Sequence, residues 1–397
     1  MAAVRGSAVQ LNSALGVFSH RSNAVLLNQF ASGRKNAPYY CLGHLVGTSA
    51  CFTKFKMPQN RPNWGHFMSV DAGSDVYYYQ DMFAKHQKIA DKFAKNERIV
   101  VHLGDCLELL SGIPNESLKL VVTSPPYNIG KEYEKRLDLE TYLAQQEKVI
   151  TECYRALSPT GSLCWQVGNY VAGSSIIPLD TILYPVFTKL GLKMRNRIIW
   201  HFEHGLHCTK RFSGRYETIV WFTKTEDYTF NLDSVRVPQK YPGKKHFKGP
   251  KAGQYSSNPL GKNPSDLWII PNVKSNHIEK TDHPCQFPVE LIERLILSLT
   301  DENDWVFDPF LGTGTSIIAA ILHNRRGAGA EIVPKYVSLA KRRIHMAMDG
   351  TLRTRPMDRP VYDPYKAGNS LTIPPWKYRQ SSRLFPNQDE EKGLASK

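Results

Sequence analysis

The chain has 397 residues, enough for one large domain with appendages or for two modest domains. Its 41% hydrophobic content is ordinary for a globular protein, and apolar runs such as Ser316–Leu322 are far too short to span a bilayer, which argues against a membrane protein. The 51 Lys and Arg against 36 Asp and Glu leave a formal charge of +15, a field that draws polyanions, nucleic acid first among them.

The first 70 residues contain no Asp or Glu but carry Arg5, Arg21, Arg34, Lys35, Lys54, Lys56 and Arg61 among many Ser, Ala and Asn. Basic, Ser-rich and acid-poor composition is that of an organellar transit peptide. Residues 1–80 are therefore read as a targeting or disordered segment. The expected destination is the mitochondrion, with plastid and nucleus as alternatives and a DNA-holding arm as the other use of such a stretch. The seven cysteines show no CxxC spacing and read as reduced thiols of an intracellular protein.

A globular block follows, over 81–350. Apolar spacing predicts a helix over Phe83–Lys95, then a β-branched strand over Arg98–His102. A second strand, Leu118–Thr123, runs straight into Ser124-Pro125-Pro126. Tyr142–Leu157 reads as an amphipathic helix, and Ser162–Val167, Arg197–Trp200 and Thr218–Thr223 as strands. Helix Pro288–Leu299 has Pro in its first turn. Strand Trp305–Phe307, a Gly-rich turn, helix Thr315–His323 and strand Gly327–Ile332 close the series. Strands alternating with helices predict an α/β fold with a mostly parallel sheet.

Residues 225–280 differ. From Val235 to Ser265 there is no acid, and Lys240, Lys244, Lys245, Lys248 and Lys251 alternate with Tyr241, Phe247 and Tyr255. This is expected to be a loop-rich, DNA-gripping insert. His201, His204, His207 and Cys208 have ligand-like spacing, but Gly205 lies among them and no second ligand pair follows. No metal site is assigned. Residues 351–397 form a Pro-rich tail expected to wrap the surface or stay disordered.

Two junctions carry chemistry. Asp308-Pro309-Phe310-Leu311-Gly312-Thr313-Gly314-Thr315 joins a buried strand to a helix through glycines that let backbone approach a ligand, without the Lys of a phosphate loop. Glu331, at the tip of the following strand, can accept hydrogen bonds from ribose hydroxyls, so a nucleoside-containing cofactor is expected. Thr123-Ser124-Pro125-Pro126-Tyr127-Asn128 ends a strand with two prolines that fix the backbone. Its Ser hydroxyl and Pro carbonyl can both accept from one NH2 group, and Tyr127 offers a stacking face.

Together these motifs resemble the amino-group DNA methyltransferases of the permuted β group, over about residues 97–345. In that resemblance Ser124, Pro125, Pro126 and Tyr127 form the catalytic motif, and Asp308, Phe310, Gly312, Gly314 and Thr315 the cofactor motif. Glu331 is the ribose-binding acid, and Asp105 of Gly104-Asp105-Cys106 lies near the adenine. His283-Pro284-Cys285-Gln286-Phe287-Pro288 resembles the segment on the methionine side, with Phe287 where the family usually has Lys. The resemblance implies a Rossmann-like methyltransferase fold with helices on both sheet faces and S-adenosylmethionine as cofactor. Its substrate is duplex DNA with a flipped base, and direct methyl transfer needs no catalytic Cys. Ser124 points to cytosine N4. Adenine N6 on the same fold, and a catalytically silent nucleic-acid-binding module, stay as alternatives.

Overall fold

The computed structural model describes residues 88–131, 136–173, 175–205, 207–274, 276–357 and 359–373, together with the backbone of five earlier strands. The chain divides into two compact units at Gly65. In the first, Leu26–Asn28, Tyr40–Val46 and Ser49–Phe55 form a three-stranded antiparallel sheet. The rest of that segment, and so most of the targeting reading, lies outside the described residues. The second unit opens with the antiparallel pair His66–Val70 and Tyr77–Asp81.

Its main body is a nine-stranded sheet. In chain order the elements are β1 (Ile89–Ala90), β2 (Ile99–Leu103), α1 (Cys106–Ser111), β3 (Leu118–Thr123), α2 (Leu139–Ala156) and β4 (Leu157–Val167). The small hairpin β5 (Asn169–Ala172) and β6 (Ser175–Pro178) follows, then α3 (Leu179–Lys189), β7 (Lys193–His201), β8 (Tyr216–Thr223) and β9 (Leu267–Ile269). The last are α4 (Val289–Leu299), β10 (Trp305–Asp308), α5 (Thr315–Leu322), β11 (Arg326–Glu331) and α6 (Pro334–Met348). The spatial order is β9-β7-β8-β4-β3-β10-β11-β2-β1, and β8 alone runs antiparallel to its neighbours. The mostly parallel sheet with helices on both faces agrees with the sequence expectation.

The two-residue period of a strand explains the two cores. Ile99, Val101, Leu120, Val122 and Val306 point to one face, where Leu291, Leu295, Ile318 and Ile344 of α4, α5 and α6 cover them. Val100, Val121 and Phe307 point to the other, against Leu109, Ile150 and Phe187 of α1, α2 and α3. Strands buried on both faces read as continuous apolar runs, which is why they stood out in the sequence.

The expected helix over Phe83–Lys95 is not formed from Lys88 onward. Ile89–Ala90 instead pairs in parallel with Ile99–Val100 as the sheet edge, and the Phe93 ring packs 4.7 Å from that of Trp305. Pairing of the Ile89 segment and insertion of Phe93 outweigh a weak helical spacing. The tail also departs from a surface wrap at its start: Thr354 and Arg355 are buried, with Arg355 paired to Glu290 of α4 and its backbone N–H donating to Glu279 at 3.0 Å. Among the described residues no helix is long and apolar enough to cross a membrane.

Chain direction fixes where a ligand can sit. From β10 the chain crosses through α5 to β11 on one side, and from β3 through α2 to β4 on the other. The neighbours β3 and β10 therefore flank the switch point, and a crevice opens beyond their C-terminal ends.

Candidate active site

The β10 end builds one wall. Asp308 is fully buried, and its carboxylate accepts from Thr123 Oγ1 at 2.6 Å, from Ser316 Oγ and from the Phe310 N–H at 3.1 Å. Burial pushes its carboxyl up to about 6 against the pull of these donors. The turn beyond it is held from two sides. Glu331 accepts from the Gly312 N–H and the Val333 N–H, both at 2.9 Å, and burial raises its carboxyl too. Buried Arg343 of α6 donates to the Thr313 carbonyl at 2.7 Å and to the Thr313 and Thr315 hydroxyls; burial lowers its guanidinium to about 10.

Two glycines are required by close approach. Gly314 has φ +80°, and a Cβ there would lie 3.1 Å from Ala340 Cβ. A Cβ on Gly329 would lie 2.7 Å from the Asp308 carbonyl oxygen, so β11 must be bare where the turn passes over it.

The β3 end builds the opposite wall. Thr123 reaches Asp308 directly, so the two motifs touch although they lie 185 residues apart. The loop after Tyr127 is pinned by Asn128, whose side chain donates to the Leu137 carbonyl at 2.8 Å and accepts from the Leu137 N–H at 2.6 Å. The Tyr127 hydroxyl lies 3.1 Å from Ser124 Oγ, donates to Glu217 Oε2 at 3.1 Å and accepts from Gln166 Nε2 at 2.9 Å. Gln166 also donates to Glu217. Burial, helped by the neighbouring Glu217 charge, holds the Tyr127 phenol well above its ordinary value. Burial raises Glu217 to about 7, against the donors Tyr127 and Gln166 and the charge of Lys274.

Between the walls lies a cavity of about 790 Å³, inside the roughly 300–1,000 Å³ span of small-molecule sites. Ser124, Pro125, Pro126 and Tyr127 line it, as do Asp105, Phe310, Gly312, Thr315 and Glu331. Asp308 and Gly314 do not: Asp308 is behind the turn and Gly314 faces α6. Asp105 also caps α1, accepting from the Leu107 N–H at 2.8 Å. Phe287, which stands where the resemblance expected Lys, is on the wall beside His283, whose ring lies 4.4 Å from that of Tyr336.

Sequence reading missed Gln166, Glu217 and Arg343. Gln166 lay inside a predicted strand and only its nearness to the strand end hinted at it. Glu217 and Arg343 had no local signal.

The predicted lysines are elsewhere. Residues 237–262 form an exposed ribbon closed by backbone bonds between Val237 and Lys262 and, further out, between His246 and Gln254. Lys240, Lys244, Lys245, Lys248 and Lys251 are all exposed on it and none lines the cavity. Lys245 sits over Tyr255 and Lys248 over Phe247, a ring that is 89% exposed.

Residues 118–342 match the DNA methylase family. The chain is 51% identical to the type II methyltransferase M.BglII of Bacillus subtilis over 64% of this chain and 70% of that protein. It is 30% identical to the DNA adenine methyltransferase YhdJ of Escherichia coli, over 64% of this chain and 85% of that one. Among solved structures it is similar to the PvuII DNA methyltransferase (cytosine-N4-specific), with TM-score 0.50 and 23% identity over 64% of this chain and 92% of that one. The curated relatives are bacterial, and they overturn the mitochondrial destination read from residues 1–80. An acid-free basic stretch measures attraction to anions in general and carries no address by itself.

Proposed function

The chain belongs to the DNA methylase family, and we propose that within it this protein transfers a methyl group from S-adenosylmethionine to the N4 amino group of cytosine in DNA. The observation that carries the reading is Ser124: a hydroxyl on the cavity wall at the end of β3, across from the glycine turn and Glu331. In the resembled family Ser at this position goes with cytosine N4, and Asp with adenine N6.

The cavity fits the cofactor. Its volume suits a nucleoside-sized ligand, and the Phe310–Thr315 turn runs its backbone along the wall beside Glu331. Glu331 would hold the ribose, Asp105 the adenine side and the His283–Phe287 segment the methionine side. S-adenosylmethionine, when bound, supplies a methyl group activated by a sulfonium. The chain supplies positioning. The exocyclic nitrogen is a poor nucleophile because its lone pair is delocalised into the ring. Ser124 Oγ and the Pro125 carbonyl accept its two hydrogens and favour a pyramidal nitrogen whose lone pair is free to react. The target base leaves the duplex to reach this depth, and Tyr127, its hydroxyl already tied to Gln166 and Glu217, stacks on it. The lysines of the 237–262 ribbon grip phosphates.

The adenine reading keeps a specific support, the 30% identity to an adenine methyltransferase. The deciding experiment digests DNA treated with purified enzyme and methyl-labelled S-adenosylmethionine, and identifies the nucleosides by mass spectrometry. Labelled N4-methylcytosine is expected. Labelled N6-methyladenine overturns the choice of base, and no labelled nucleoside overturns the reading of the site.

A further inference from the structure

The cluster beneath the catalytic loop has a direction. Its bearing on catalysis rests on the proposed methyl transfer, in which Ser124 accepts a hydrogen of the target amino group. A carboxylate carries no hydrogen, so the 3.1 Å contact between Tyr127 and Glu217 uses the only proton of the phenol. Gln166 Nε2 donates to the same phenol oxygen at 2.9 Å and to the same carboxylate oxygen. The reversed amide would set Gln166 oxygen against the acceptor-only carboxylate, so Glu217 also fixes that orientation. At the remaining contact, 3.1 Å between Tyr127 and Ser124, the phenol has no hydrogen left to give. The Ser124 hydroxyl must donate there, which leaves its lone pairs as its remaining hydrogen-bonding capacity.

We propose that Glu217 is a positioning residue for methyl transfer: acting through Tyr127, it commits the Ser124 hydroxyl hydrogen away from the cavity and keeps Ser124 an acceptor toward the substrate amino group. Nothing local in the sequence marks Glu217. It is delivered by the antiparallel strand β8, where it stands opposite Trp200 on β7 and next to Thr218, the partner of Val167 on β4. The charged and titratable groups around the cluster are Tyr127, Lys274 and Cys285. An amide or a neutral acid at 217 can donate to Tyr127. The chain then reverses, Tyr127 donates to Ser124, and the Ser124 hydrogen is turned toward the N–H it should accept. Because burial places ionisation of Glu217 at about 7, the committed state forms as pH rises through that value.

The test compares wild type, Glu217→Gln, Tyr127→Phe and the double variant, reading kcat and KM on DNA and the dissociation constant for S-adenosylmethionine from pH 6 to 9. A second readout is the resonance of carbon-13-labelled Tyr127, assigned by its loss in Tyr127→Phe. Glu217→Gln should lower kcat by at least about tenfold with cofactor affinity unchanged, the scale of a misdirected hydrogen bond at a reacting group. It should also remove the rise of kcat near pH 7, and add no further loss on top of Tyr127→Phe. In wild type the Tyr127 resonance should titrate near pH 7, and in Glu217→Gln it should not. A kcat within twofold of wild type, or penalties that add in the double variant, overturns the proposal. The resonance titration decides the network without any turnover: a Tyr127 signal flat across that range in wild type also overturns it. Absence of amino-methylated nucleosides from wild type is a separate result, which sinks the reading of the site and not the direction of the cluster.

Discussion

Replacing Asp308 by Asn isolates one buried charge. The carboxylate is wholly enclosed, accepts from Thr123, Ser316 and the Phe310 N–H, and is raised by burial from an ordinary 3.8 to about 6. A folded-state value above the unfolded one means the native protein holds its proton longer. Stability is therefore fully present below the unfolded value and is lost as pH rises, the loss being complete above about 6. A rise from 3.8 to about 6, at about 1.4 kcal/mol per pH unit, makes the whole loss about 3 kcal/mol, of which about 2 to 2.5 kcal/mol falls between pH 4 and 7. Asn keeps one acceptor oxygen and cannot titrate, so the variant escapes that loss. Glu217 and Glu279, both raised to about 7 by burial, titrate in wild type and variant alike and cancel in the difference. The assay is urea unfolding of both proteins at a series of pH values. The stability of Asp308→Asn relative to wild type should improve by about 2 to 2.5 kcal/mol from pH 4 to pH 7. A difference that stays flat with pH would refute an ionisable, buried Asp308. Asp308→Ala is the contrasting change: it leaves three donors without their acceptor at about 1–3 kcal/mol each, loosens the Phe310–Thr315 turn and weakens cofactor binding, although residue 308 is not on the cavity wall.

Ser124→Ala should lower turnover by at least about 100-fold while leaving S-adenosylmethionine affinity nearly intact, and normal turnover would remove Ser124 from the mechanism. Gly329→Ala puts a methyl 2.7 Å from the Asp308 carbonyl oxygen and 3.0 Å from Leu311 Cδ1, so it should cost about 1–3 kcal/mol and weaken cofactor binding; an unchanged Tm and affinity would contradict the packing of β11 under the turn. Changing Lys244, Lys245, Lys248 and Lys251 together to Gln should flatten the salt dependence of DNA binding by about 3 to 4 in log–log slope, at about 0.9 for each phosphate no longer neutralised, with Tm unchanged. A salt slope equal to that of wild type would place the DNA elsewhere.

The elements that the sequence revealed are those whose signal is local. β3 and β10 are buried on both faces, so Leu118–Thr123 and Trp305–Phe307 read as apolar runs whatever packs on them. The glycine turn showed itself because Gly312 and Gly314 stand at φ +53° and +80°, a backbone conformation in which any side chain is strained. The failures are cases where a distant partner decides. Ile89 and Phe93 have the spacing of a helix face, but the strand partner Ile99 and the ring of Trp305 take them into the sheet edge and the core. Arg343 sits in α6 among Lys and Arg of similar appearance, and only the packing of α6 onto α5 turns it, alone, under the Thr313 carbonyl. Glu217 and Gln166 lie 90 and 39 residues from Tyr127, and strand register alone joins them.

The same physics explains why the order of the motifs along the chain does not matter to the site. Here the Ser-Pro-Pro-Tyr loop precedes the glycine turn by 185 residues, measured from Thr123 to Asp308, yet these two share a hydrogen bond of 2.6 Å. What that contact needs is two neighbouring parallel strands ending at the same level, and Leu120 pairs with Val306 and Val121 with Phe307 in the buried centre of the sheet. Any connection that returns β10 beside β3 in that register reproduces both walls of the crevice. The connection is then free to carry the rest: β7, β8 and β9, which bring Glu217 beside Tyr127, and the basic ribbon at 237–262. A substitution that shifts the register of β3 against β10 should therefore damage cofactor binding and methyl transfer together. Changes confined to β8 or to the 237–262 ribbon should separate them, because they reach the substrate side without touching Asp308 or its donors.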